Sequence, residues 1–126
     1  MLTTSGSFSG FSVSDQAAAL AFYRDTLGFD VEETGMGLEL ALPGGQHVFI
    51  YPKDDHQPAT FTVLNFEVVD IDAAVDELAA AGIALERYAG MPQDDKGVMR
   101  GKAADMGPDI AWFTDPAGNI LSILAN

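Results

Sequence analysis

The chain has 126 residues, 48% of them hydrophobic, no cysteine and a net charge of −13. That length and apolar content suit one folded domain and exclude a disordered chain, while the lack of cysteine excludes disulfides, thiolate metal sites and a cysteine nucleophile. Nineteen acidic residues against six basic ones would repel phosphate backbones and anionic membranes.

No nucleic acid and no membrane partner is therefore expected; a cationic ligand would be favoured, although acidity also serves solubility alone. No apolar run approaches the roughly 20 residues of a membrane helix, and residues 1–10 lack the basic and apolar segments of a secretory signal, so the cytoplasm is the expected location. Along the chain, Phe8 to Val13 alternates, with Phe8, Gly10 and Ser12 on one face and Ser9, Phe11 and Val13 on the other. Asp15 caps a helix with an apolar stripe of Ala19, Phe22, Tyr23, Thr26 and Leu27, and Gly28 ends it. Strands follow from Phe29 to about Glu33, from Leu38 to Leu42 and from Gln46 to Tyr51, the last two joined by Pro43-Gly44-Gly45. Pro52 to Ala59 is polar, contains two prolines and reads as a linker.

Phe61 to Val69 is the next strand. Asp70 or Asp72 caps a helix striped with Ile71, Ala74, Val75, Leu78 and Ala81, and Gly82 stops it. Ile83 to Tyr88 is extended. Ala89 to Pro108 is a long loop, either a lid from which Asp94, Asp95, Lys96 and Arg100 could reach a ligand or a solvated or dimer-contacting segment. A hairpin closes the chain, turning at Asp115-Pro116-Ala117-Gly118 between Ile110–Phe113 and the run that starts at Ile120. The halves match in sequence as well as in order. Phe11-Ser-Val13-Ser-Asp15 aligns with Phe66-Glu-Val68-Val-Asp70, and Pro43-Gly44-Gly45 with Pro116-Ala117-Gly118, as in a duplicated β-α-β-β-β unit.

With Ala21-Phe22-Tyr23-Arg24-Asp25-Thr26-Leu27-Gly28-Phe29, Val69-Asp70-Ile71-Asp72-Ala73-Ala74 and Asp115-Pro116-Ala117-Gly118-Asn119 added, nearly the whole chain resembles the vicinal oxygen chelate superfamily. That superfamily includes glyoxalase I, the bleomycin-resistance proteins and the extradiol dioxygenases. The resemblance implies an α+β fold within a single domain spanning residues 1–126. Two βαβββ modules, about 7–52 and 61–125, would form curled mixed sheets around a cup, with helices outside. It also implies a homodimer. Metal-dependent members place four ligands, mostly His or Glu, on the first and last strands of each module. Those positions fall on Phe8, on Phe49 (Ile50 if the turn is one residue longer), on Val63 and on Ser122. Phe and Val offer no donor atom and a lone Ser does not suffice, so neither a metal nor another cofactor is expected.

Strand alternation then gives the cup its lining. Phe8, Ser12, His47, Phe49, Tyr51, Asn65, Glu67 and Ser122 face inward, and Trp112 lines the cup or belongs to the core. Aromatic walls with a few convergent polar groups suit a small organic ligand, cationic or aromatic. Each residue also has a plainer reading: His47 as a surface histidine, Tyr51 as a rim residue, Asn65 as a backbone partner, Glu67 as an ion-pair partner of Arg24, Arg87 or Lys96. The leading expectation is a metal-free small-molecule-binding protein resembling the bleomycin-resistance branch. Its rival is a metal-independent lyase, isomerase or hydrolase using Glu67 or His47 as acid or base, so whether the chain is an enzyme stays open. A third reading is a subunit or regulatory module whose cup is filled by its own side chains.

Overall fold

The computed structural model describes all 126 residues and divides the chain into two compact units, Met1–Pro58 and Ala59–Asn126. In the first, strand β1 (Ser9–Val13) leads into helix α1 (Gln16–Leu20), then strands β2 (Asp30–Thr34), β3 (Gly37–Ala41) and β4 (His47–Pro52). In the second, β5 (Thr62–Glu67) and helix α2 (Ile71–Ala80) precede β6 (Met99–Arg100), β7 (Asp109–Thr114) and β8 (Ile120–Ala125). The sheets are ordered β1-β4-β3-β2 and β5-β8-β7-β6. In each, the first strand lies parallel to the last and the other pairings are antiparallel. This is the expected α+β arrangement of two βαβββ modules. No helix is long and apolar enough to cross a membrane.

Caps and alternation account for most of these elements. Asp15 accepts from the Ala18 amide at 3.1 Å, and Asp70 from the Asp72 and Ala73 amides at 3.0 and 3.1 Å, so each helix begins where a short acceptor meets orphan donors. Leu38, Leu40, Val48 and Ile50 are buried on one face of the first sheet, with Val13, Ala19 and Tyr23. Burying a side chain of this size contributes about 1.5–3 kcal/mol. In the second unit Ile71, Ala74, Val75 and Leu78 of α2 join Ala111, Phe113, Leu121 and Ile123, with Phe66 stacked on Phe113 at 6.4 Å.

Two elements depart from the sequence pattern. The first helix does not stay α-helical: from Ala21 to Thr26 it widens into a π-helix, and the Leu27 amide reaches back five residues to the Phe22 carbonyl at 2.9 Å. The wider turn rotates Thr26 into solvent, whereas a regular stripe would bury it. Tyr23 stays fully buried, edge-on to Phe22 at 5.1 Å, and Gly28 at φ 78° reverses the chain into β2. In the second unit the second strand is Met99–Arg100, inside the segment expected to be a loop. The Ile83–Tyr88 stretch contributes only an isolated bridge between Glu86 and Trp112. Two residues carry no alternation, so this strand had no periodic signal to show.

The two hairpin turns share one backbone pattern. The Leu42 amide donates to the Gln46 carbonyl at 2.9 Å and the Gly45 amide to the Leu42 carbonyl at 3.2 Å. At the matching positions the Asp115 amide donates to Asn119 and the Gly118 amide to Asp115, both at 3.0 Å. The second turn adds a buried carboxylate. Asp115, 4% exposed, accepts from the Ala117 amide, the Asn119 amide and the Asn119 side chain, each at 2.9 Å. Replacing Asp115 by Ala strands these donors in a buried turn. We expect Asp115→Ala to lose about 2–3 kcal/mol in urea unfolding, with Leu42 as the internal control that forms the same turn without a carboxylate.

Candidate functional site

On the first sheet the face opposite Leu38, Leu40, Val48 and Ile50 presents Gly10, Ser12, His47, Phe49 and Tyr51. Gly10 pairs with Phe49 and Ser12 with Tyr51 across β1 and β4. The Phe49 and Tyr51 rings stack at 5.6 Å and 19°. His47 sits half exposed at the strand start, its Nδ1 3.5 Å from a Glu39 carboxylate oxygen. Phe8, just before β1, is 74% exposed. With Ser7, Ser9, His47 and the Gly44-Gly45-Gln46 turn it borders an open groove of about 380 Å³. Ser12 donates or accepts at 2.7 Å with Nδ1 of His56, a residue to which the sequence assigned no role.

The second sheet has the more built face. Asn65 pairs with Ser122, and Ser122 with Trp112, so three expected site residues stand in one row across β5, β8 and β7. Ser122 is fully buried and its hydroxyl donates to the Asn65 carbonyl oxygen at 2.5 Å. The Trp112 indole N–H donates to the Thr62 hydroxyl at 3.1 Å. Thr62 reaches this face because a bulge interrupts β5 between Thr62 and Leu64. Strict alternation places Phe61 and Val63 there instead; the bulge takes Val63 out of register and substitutes Thr62.

Tyr88 covers Trp112 edge-on at 5.7 Å. Its hydroxyl oxygen is buried and has no hydrogen-bond partner. Burial, reinforced by the Glu86 charge, pushes the Tyr88 phenol above its ordinary pKa, so it is a neutral donor. Glu67 lies further along β5, exposed and in no ion pair. Arg24 pairs with Asp25 within the first unit; in the second, Arg87 is held by the carbonyls of Asp94 and Asp95 and Lys96 by Asp72 and Asp76, so neither of these two expected partners reaches Glu67. His47 lies in the first unit and Glu67 in the second.

The 83–100 segment is held down by its own polar groups. The Gln93 amide accepts from the Tyr88 N–H at 2.9 Å and donates to the Glu86 and Gly97 carbonyls at 2.9 and 2.8 Å. Arg100 bridges Asp94 (2.8 Å) and both carboxylate oxygens of Asp72 (2.8 and 3.1 Å), tying the segment to the first turn of α2. Asp94, Lys96 and Arg100 thus spend their charge on the fold. Tyr88 is fixed over Trp112 by the same network.

A family model for the Glyoxalase/Bleomycin resistance protein/Dioxygenase superfamily matches residues 8–123. The chain belongs to that superfamily. Solved structures share the fold at low identity. A glyoxalase family protein from Bacillus anthracis superposes with a TM-score of 0.68 at 20% identity, covering 100% of this chain and 99% of that one. A fosfomycin resistance protein from Listeria monocytogenes gives 0.69 at 15%, covering 99% and 95%. An antibiotic binding protein from Streptomyces gives 0.65 at 23%, covering 98% of each. No curated protein matches the chain.

A metal centre of the kind some superfamily members hold does not fit the donors present. The four expected positions carry Phe8, Phe49, Ser122 and, after the bulge, Thr62 in place of Val63; Ser122 already donates to Asn65 and the Thr62 hydroxyl already accepts from Trp112. No group of three or more His, Asp or Glu side chains is placed to hold a metal ion. Sequence reasoning missed Thr62, Tyr88 and His56. The first depends on a bulge, the second on an edge bridge and the third on a turn, and none of these has a periodic signature.

The ion-pair network has a definite pH signature. Hydrogen bonds from Arg100 and then Lys96 hold the Asp72 carboxyl well below the usual carboxylate range. Burial opposes ionisation of Asp94, but bonds from Arg100 and from the Val98 and Lys96 amides outweigh it, so its pKa is also lowered. A carboxylate whose folded pKa is depressed stabilises the fold above its unfolded pKa and loses that contribution as pH falls toward the folded value. We expect the melting temperature to drop below about pH 4, and Asp72→Asn to flatten that acid limb while lowering stability at neutral pH. A melting series from neutral to acid pH checks both.

Proposed function

We propose that this protein binds a small organic molecule without a metal, as in the bleomycin-resistance branch of its superfamily. The ligand lies on the second-sheet face of Asn65, Trp112 and Tyr88. The observation that supports this reading best is the Tyr88 hydroxyl, buried beside Trp112 with nothing to bond. A buried polar group without a partner costs about 1–3 kcal/mol, and a ligand acceptor would recover it. The same sheet face carries the Trp112 indole, the Asn65 amide and the carboxylate of Glu67, a combination suited to a cationic or aromatic compound. The fosfomycin resistance and antibiotic binding proteins that share the fold give the reading a precedent in small-molecule recognition.

We take the acting form to be a homodimer in the cytoplasm. Phe8 and Phe61 are 74% and 66% exposed, and each leads into an edge strand, β1 or β5, that association would cover. The second reading, a metal-independent enzyme, is favoured by one observation: Glu67 is exposed, unpaired and on the same strand as Asn65, so it is available as a base. Turnover lost in Glu67→Gln with binding retained would select that reading.

The orphan hydroxyl makes binding and stability pull in opposite directions. We expect Tyr88→Phe to raise the unliganded protein's stability by about 1 kcal/mol and to shrink the melting shift produced by the best compound of a cationic and aromatic library. Thermal melts of both proteins, with chelator present, read the two effects together. A variant that loses stability and binds as before would remove the support for this site.

A further inference from the structure

We infer that Ser12 and His56 form a nucleophile–base pair able to take an acyl group from an activated aryl ester. The pair stands apart from the binding reading above, which rests on the second unit. Its geometry comes from how β4 ends. Pro52 pairs with Val13, and the Lys53 amide donates to the Val13 carbonyl at 3.0 Å, which holds the chain against the end of β1. The chain then turns: the His56 amide donates to the Lys53 carbonyl at 3.0 Å, and Lys53 and Asp55 form an ion pair across the turn. The turn brings the imidazole back over β1, where Nδ1 lies 2.7 Å from the Ser12 hydroxyl oxygen. With the ring proton on Nε2, Nδ1 accepts the serine proton, which is the contact a base must make with its nucleophile.

Two further features fit an acyl acceptor. Both residues are only partly buried, so a substrate carbonyl can approach the serine. Ser12 pairs with Tyr51, whose ring stacks on Phe49, and this two-ring surface beside the hydroxyl suits an aryl leaving group. In the forward step His56 removes the hydroxyl proton as Ser12 Oγ bonds to the ester carbonyl carbon. The bond between the carbonyl carbon and the aryloxy oxygen breaks, the aryloxide leaves with the electron pair and collects the proton from His56, and an acyl-serine remains. Water then adds to the acyl carbon, giving a proton to His56, and the serine oxygen departs and regains that proton. The sum is ester plus water to acid plus phenol, with no oxidant, reductant or metal required.

The test uses p-nitrophenyl acetate with the full chain. Expected results are one acetyl group on the peptide containing Ser12, found by mass mapping, and p-nitrophenolate release that falls at least tenfold in Ser12→Ala. Release falls roughly 100-fold in His56→Gln, the usual contribution of a general base. Circular dichroism melts establish that both variants fold. Acetyl groups found only on lysines or the N-terminus, or unchanged release in a folded Ser12→Ala, would overturn the inference. Should Ser12→Ala fail to fold, phenylmethanesulfonyl fluoride applied to the unmodified chain decides: a sulfonylated Ser12 supports the pair, and its absence contradicts it.

Discussion

Each half of this molecule depends on one pairing: the first strand of a module lies parallel to the last. In the first unit this aligns Gly10 with Phe49, and in the second it aligns Asn65 with Ser122. A parallel neighbour cannot be reached by a tight turn, so everything between the two strands must be a crossover. The helix packs on one face of the sheet during that crossover. The hairpin turn delivers the last strand in register. Asp115 and the backbone pattern shared with Leu42 do that local task. The candidate face is what remains, the side of the sheet that the helix does not cover.

The charge distribution follows from where the few cations are used. Arg24, Lys53, Lys96 and Arg100 sit in ion pairs with nearby acids, and Arg87 binds carbonyls. The net charge of −13 is therefore the charge of a surface on which five of the six lysines and arginines, all but Lys102, are already engaged. Part of it lies on β2, where Asp30, Glu32 and Glu33 occupy an outer edge that would otherwise invite strand addition. The rest gives the protein a field that draws cations and repels anions. The same few cations decide the shape of the 83–100 segment. Arg100, shared between Asp72 and Asp94, turns a run with two glycines and a proline into an ordered cover over Trp112.

Most of the fold was legible in the sequence because its signals are local. Asp15 and Asp70 cap helices, Gly28 and Gly118 reverse the chain at positive φ, and apolar alternation marks the strands. The repeat between Phe11–Asp15 and Phe66–Asp70 fixed the duplication. What escaped depends on long-range geometry. Alternation read backward from Asn65 gives Val63, but one inserted residue hands the position to Thr62, and nothing in Thr62-Val63-Leu64 marks a bulge. Met99–Arg100 is a strand because β7 offers an edge and Asp72 anchors Arg100, facts separated by many residues in the chain. His56 looked idle because its partner, Ser12, lies 44 positions away. The candidate site was thus legible as a row of facing residues, and illegible in the contacts that decide which of them are satisfied.

The proposed function requires a small molecule to bind at the second-sheet face without a metal. Trp112, the only tryptophan, reports on that face directly, since Tyr88 covers it and Thr62 accepts from its indole. The measurement is a titration of Trp112 fluorescence with cationic and aromatic compounds in the presence of chelator. A saturable change is expected for at least one class, with one compound bound per chain. Binding seen by calorimetry that leaves Trp112 emission unmoved, or binding that appears only after a divalent metal is added, would contradict it.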